Sequence, residues 1–174
     1  MNRRWVYIVV AGLAVLALVA GTAVYFSDAA RIRRSLAALA ESVSKSGPEN
    51  PIVGAVRCER IAAAFVAHPE FHLDFFPHAP DNRRELAAVA FHVRNAAERI
   101  HVHFSDASVR VAPGGRQAEV RVTARGSIAF DHQKESMLRE FRLEWERTDE
   151  GWKISRAETV EAIRHPLTGE SGPP

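Results

Sequence analysis

The sequence predicts an α+β fold in which a bent antiparallel sheet is covered on one face by three helices and preceded by a transmembrane helix. Three observations predict it. Residues 100–159 break into segments whose apolar side chains recur at every second position, residues 28–98 hold segments where they recur every three or four, and residues 5–26 carry no charge. A sheet patterned this way has one apolar face, and the helices that precede it supply the cover.

The chain has 174 residues. The part beyond the uncharged stretch is enough for one core and cramped for two domains. The net charge is +2 and the pI is near 9.0, but Arg3 and Arg4 lie ahead of the uncharged stretch. The remainder is close to neutral, with Arg and Glu interspersed and no basic block of the kind that tracks phosphates, so nucleic acid is not an expected partner. Cys58 is the only cysteine, which rules out an internal disulfide and a multi-cysteine zinc site.

Residues 5–26 would span about 33 Å as a helix at ~1.5 Å per residue, matching a hydrocarbon core of about 30 Å. Trp5 and Tyr7 stand at one end and Tyr25 and Phe26 at the other, where amphipathic rings settle at interfaces. The stretch is longer than the core of a signal peptide and continues past the small residues Gly21, Thr22 and Ala23, which favours an uncleaved anchor over a cleaved leader. Arg3 and Arg4 compete with Arg31, Arg33 and Arg34 for the cytoplasmic side. The short basic tail abutting the stretch favours an inner-membrane protein with its domain outside the cytoplasm, in the periplasm. Ala14, Ala17 and Gly21 share one helix face, which suits either a close homodimer contact or ordinary lipid exposure. The expected organisation is a basic tail at 1–4, an anchor at 5–26 in the lipid bilayer, a domain at 28–164 and a disordered tail at 165–174.

Within the domain, Ile32, Leu36, Leu39, Ala40 and Val43 form the stripe of a first helix that Ser46, Gly47 and Pro48 end. Asn50 and Pro51 announce a second helix, expected to turn Ile52, Val56, Ile61, Ala64 and Phe65 inward and to break near His68 and Pro69. Residues 71–76 alternate as a short strand. Asp81 is expected to cap a third helix with Leu86, Val89, Val93 and Ala97 as its stripe.

In the sheet, Ile100, Val102 and Phe104 face one way and Val109 and Val111 carry the strand on, with a change of parity that predicts a bulge at 106–108. The next strand turns Ala118, Val120, Val122, Ala124, Ile128 and Phe130 inward, with Gly126 on the same face. After a polar turn at 131–136, the third puts Arg139, Phe141, Leu143 and Trp145 on that face. The last strand puts Trp152 and Ile154 inward, and strict alternation adds Arg156 and Glu158. Arg139, Arg156 and Glu158 are therefore the expected rim of a ligand pocket, with Phe130, Phe141, Trp145 and Trp152 as its floor. The competing reading is an ordinary exposed sheet edge with an Arg and Glu pair.

The order helix, helix, short strand, helix and long meander, ending in Thr148, Asp149, Glu150, Gly151, Trp152, Lys153, Ile154, resembles the nuclear transport factor 2-like superfamily, which includes the SnoaL-like and ketosteroid isomerase groups. The resemblance implies a cone-shaped, cystatin-like α+β roll with a pocket at its open end. It does not imply catalysis, because the fold hosts enzymes, binding modules and assembly domains alike. Isomerase-like members use an acid or base near the first strand and hydrogen-bond donors inside the cone. Asp74 stands in a comparable region but alternates with Phe71, Leu73 and Phe75, and both tyrosines, Tyr7 and Tyr25, lie in the uncharged stretch. No catalytic residue is carried over.

His101 with His103, and His72 with Asp74, alternate on strand faces and would converge on a metal only if the two strands were neighbours. An exposed sheet face looks the same, and neither a metal nor a cofactor is expected. The expected function is a noncatalytic, membrane-anchored domain that binds a small ligand or a protein partner. An assembly subunit of an envelope or secretion complex, laid out like the inner-membrane subunits of type IV secretion systems, and an isomerase-, dehydratase- or hydrolase-type enzyme are the alternatives.

Overall fold

The computed structural model describes residues 27–74, 79–131 and 133–160. The anchor at 5–26, the tails at 1–4 and 165–174, and Phe75 and Phe76 lie outside these residues. Among the described residues no helix is long and apolar enough to cross a membrane.

Helix α1 (Asp28–Val43) starts where the Ser27 side chain accepts a hydrogen bond from the Ala30 amide, and it buries Ile32, Leu36 and Leu39 along one stripe. Helix α2 (Pro51–Ala63) opens on Asn50, whose Oδ1 accepts from the Ile52 amide at 2.9 Å, with proline in the first turn as expected. Its buried face is Gly54, Cys58, Ile61 and Ala62, whereas Ile52 and Val56 are exposed, so the expected inward stripe is wrong over its first half. The reason is close packing. A Cβ at position 54 would stand 3.5 Å from Glu49 Oε2 and 4.0 Å from Arg94 Cδ, so this face of α2 lies directly against the ion pair of Glu49 with Arg94.

The chain leaves α2 earlier than expected. Phe65 opens strand β1 (Phe65–His72), which ends before Phe75. Helix α3 (Arg83–Ala96) is capped by Asn82 rather than Asp81: Asn82 Oδ1 accepts from the Glu85 amide, while Glu85 Oε2 reaches back to accept from the Asp81 amide at 3.0 Å.

Strands β2 (Arg99–Val111), β3 (Gln117–Phe130), β4 (Gln133–Thr148) and β5 (Gly151–Val160) form an antiparallel meander, and β1 joins its far side parallel to β5. The order is β1-β5-β4-β3-β2. The turn before β4 is tighter than the expected 131–136, since Phe130 is already paired with Gln133. The predicted bulge is present: register slips between Ser105 and Ser108, and Asp106 takes a left-handed φ of 55°.

The core lies between α1 and the inner face of the sheet. Ile32, Leu36 and Leu39 pack with Val120, Val122, Leu143, Trp145 and Ile154 in one cluster. Burying each of these aliphatic side chains contributes ~1.5–3 kcal/mol, so this layer, more than any turn, holds the sheet to its cover. The chain just after α1 shields part of the outer edge of β2. Lys45 exchanges both backbone hydrogen bonds with Ile100, and Ser44 Oγ accepts from the Val102 amide at 3.2 Å.

Candidate functional site

A second bulge decides where the expected pocket residues go. Trp145 is paired with Ile154 but Glu144 with Arg156, so Ser155 is an extra residue in β5, and its hydroxyl donates to the Glu144 carbonyl at 3.2 Å. One inserted residue reverses the alternation. Ala157, paired with Leu143 and 7% exposed, takes the inner face in place of Arg156. Arg156 and Glu158 are turned to the outer face, which corrects the expected rim. There Arg156 meets Glu70 at 3.7 Å and His72 Nε2 at 3.0 Å, and Glu158 meets Arg142 at 3.6 Å.

Arg139 is paired with Ala124 on the inner side, as expected, but lies in the exposed part of β4, across the sheet from Arg156 and Glu158. Of the expected floor, Trp145 and Trp152 are core residues and Phe141 packs half-buried against them, while Phe130 is half-buried at the end of β3. The two histidine pairs lie at opposite edges of the sheet, His72 on β1 and His101 and His103 on β2, so they do not converge. Among the described residues no group of three or more His, Cys, Asp or Glu is placed to hold a metal.

What the fold does build is an apolar pouch of 240 Å³ beside α3. The end of α1 contributes Val43, α2 Ile61, the β1 end Phe71 and Leu73, α3 Leu86, Val89, Ala90 and Val93, and β2 Ile100, with Pro80 closing one side. Three of these α3 residues come from the stripe read in the sequence, but Leu86 and Val89 are only half-buried and Val93 is exposed, while the helix buries Ala87 and Arg94.

The polar member of the lining is Arg94, only 2% exposed and with all its donors spent. Its Nε and Nη2 hold the two oxygens of Glu49 at 2.6 and 3.2 Å, Nη1 donates to the carbonyls of Ser42 and Val43, and Nη2 to that of Ser44. The guanidinium thus closes the C-terminal end of α1, where unpaired carbonyls and the helix dipole favour a cation. Lys45 performs the same service for α3, donating to the carbonyls of Arg94 and Ala97. Arg57 adds a contact to Glu49 at 3.2 Å. The Arg94 hydrogen bond holds the Glu49 carboxyl below its ordinary pKa, and burial raises that of the nearby Cys58 thiol. Sequence periodicity does not reveal Arg94, because it stands one position beyond Val93 in the helix stripe and reads as a solvated residue.

A larger groove of 680 Å³ runs between α1, α2 and the β4–β5 turn, but it is charged and largely satisfied from within. Its Arg57 is taken by Glu49, Arg147 by Asp28 and Lys153 by Glu150, whose carboxyl is held below its usual range first by the Lys153 hydrogen bond and then by the charge of Arg83.

A family model described as a SnoaL-like domain matches residues 52–158. No curated protein matches the chain. Among solved structures, the chain is similar to a provisionally assigned aromatic ring hydroxylase from Novosphingobium aromaticivorans, with 16% identity over 76% of this chain and 87% of that one at a TM-score of 0.63. A provisionally assigned scytalone dehydratase from the same organism shares 15% identity over 74% and 81% of the two chains, TM-score 0.61. An NTF2-like protein with a cystatin-like fold, also from that organism, shares 18% over 85% and 90%, TM-score 0.59. At these identities the likeness is one of fold.

Proposed function

The chain belongs to the SnoaL-like domain family, and from that premise we propose that it is a noncatalytic, membrane-tethered binding domain that takes a small apolar ligand in the pouch beside α3. The observation that carries this reading is the lining. Apolar side chains line an open cleft of 240 Å³, and the one ionisable side chain among the described lining residues, Arg94, is already committed to Glu49 and to α1. The volume is below the ~300–1,000 Å³ of drug-sized sites, which favours a compact ligand. Tethering is supported by the uncharged stretch at 5–26.

The names of the structural neighbours suggest dehydratase or hydroxylase chemistry. That reading requires an acid, base or nucleophile converging on the pouch, and the described lining supplies none. Ala90→Phe tests the binding reading by filling the pouch. Small apolar probes such as indole should raise the thermal midpoint of the parent and leave that of A90F unmoved. Equal stabilisation of both proteins, or none by any probe, would count against it.

A second reading, an assembly subunit, is favoured by one feature: Ile52, Val53 and Val56 are 74%, 46% and 48% exposed on one helix. Crosslinking from Val53→Cys in membranes would report a partner there, and exclusively monomeric product would remove the support.

A further inference from the structure

We propose that the end of the domain where α1 begins is a docking surface for anionic phospholipid headgroups. The proposal rests on the tether reading and adds a partner to it. Only Ser27 separates the uncharged stretch from α1, so a chain anchored by that stretch would hold this end of the domain at the bilayer surface. The first turns of α1 carry Arg31, Arg33 and Arg34, all within about 9 Å of the helix start along its axis, close to one Debye length of ~8 Å.

The fold brings further cations to the same place. Arg147, at the end of β4, lies 3.5 Å from Asp28, and its amide donates to the Arg116 carbonyl at 2.8 Å, which sets the turn at 112–116 beside it. Gly114 and Gly115 have φ of 98° and 66°, and this tight turn presents Arg116 to solvent. The opposing carboxylates are Asp28, Glu146, Asp149 and Glu150; the last two line the larger groove with Arg31 and Arg147, and Glu150 is already paired with Arg83 and Lys153. Asp28 is engaged by Trp152, Arg147 and Arg31, and Glu146 shares a shallow groove with Arg116 and Arg147. Arg33 and Arg116 are exposed and have no ion-pair partner among the described residues.

A cationic surface supplied by separate chain segments, and positioned beside an apolar stretch long enough to span, has the complementary charge for a leaflet rich in acidic lipid. Each arginine near such a surface favours the docked state about fivefold, equivalent to ~1 kcal/mol.

The test uses the full chain in nanodiscs of phosphatidylcholine, with or without one third phosphatidylglycerol, read by hydrogen exchange at the turn 112–116 and the first turn of α1. Exchange there should slow about fivefold or more in the anionic discs alone. The protection should vanish in 0.5 M salt and in the R33E/R116E variant, whose substitutions are on the surface. Equal exchange in the two lipids, or protection that survives in R33E/R116E, would overturn the proposal while the tether stands. Release of the chain from membranes by alkaline carbonate would overturn the tether and the docking surface with it.

Discussion

Arg94 and Glu49 meet in a two-pronged ion pair, 2.6 and 3.2 Å, at a point where three helices come together. Glu49 lies in the loop between α1 and α2, and Arg94 on α3 reaches past it to the last carbonyls of α1. Both charges are removed from bulk water, with side chains 3% and 15% exposed, so each depends on the other.

Arg94→Met should therefore destabilise the domain by about 3–5 kcal/mol, because it leaves the Glu49 carboxylate half-buried and the α1 carbonyls without a donor. Arg94→Lys should recover only part of this, since an ammonium cannot hold both oxygens and the carbonyls together. Denaturant unfolding of the two variants checks the order. Equal stability of parent and Arg94→Met would refute it.

Acid should act through the same pair. The folded pKa of Glu49 is lowered, chiefly by its hydrogen bond from Arg94, below the ~4.3 of an unfolded glutamate. Its contribution is fully present above that unfolded value and is lost as pH falls through the folded value. Glu49→Gln should lower stability at neutral pH and flatten the decline below about pH 4.5, measured as unfolding free energy against pH.

The start of α1 is latched to the sheet by Trp152, whose Nε1 donates to Asp28 Oδ1 at 3.1 Å. Trp152→Phe should cost about 2 kcal/mol, and Asp28→Ala a similar amount. The double variant should lose less than the sum, because the two residues share one bond. Strict additivity in a double-mutant cycle would show that the latch carries no coupling.

Deletion of Ser155 should leave a domain that still folds cooperatively. Without the extra residue, Ile154, Arg156 and Ala157 fall in regular alternation opposite Trp145, Glu144 and Leu143, so Ala157 stays inward and Arg156 outward, and only the bond of the Ser155 hydroxyl to the Glu144 carbonyl is lost. A deletion variant with no cooperative thermal transition would contradict the assigned register.

The two bulges show how much of the fold and of the candidate site is legible in the sequence. At Asp106 the strand has apolar residues on both sides, Phe104 before and Val109 after, so the change of parity can be counted. After Ser155 the chain reads Arg156, Ala157, Glu158, Thr159, and one alanine is too weak an apolar signal to reveal that the alternation has reversed. The expected rim fails for that reason, although the order of elements and the resemblance they carry are sound. In α2 the largest apolar residues suggest the inner face, but Gly54, Cys58 and Ala62 are buried instead, with Gly54 set against Glu49 and Arg94. The α3 stripe is legible only in part: Leu86 and Val89 are half-buried, but Val93 is 37% exposed and the helix buries Ala87 and Arg94, because periodicity reports apolarity and is silent on what fills the space opposite.

The corner where Arg94 and Lys45 close two helix ends also has a consequence for motion. Each cation belongs to one segment and satisfies the carbonyls of another, so α1 cannot fray at its end without freeing Arg94, and α3 cannot fray without freeing Lys45. The strand edge at Ile100 is bonded to the same Lys45. Opening either helix end therefore breaks bonds made by a side chain of another segment, which couples fluctuations at this corner. The pouch beside α3 is lined by Val43 and Arg94 of that corner, so its shape depends on the bonds that hold the two helix ends.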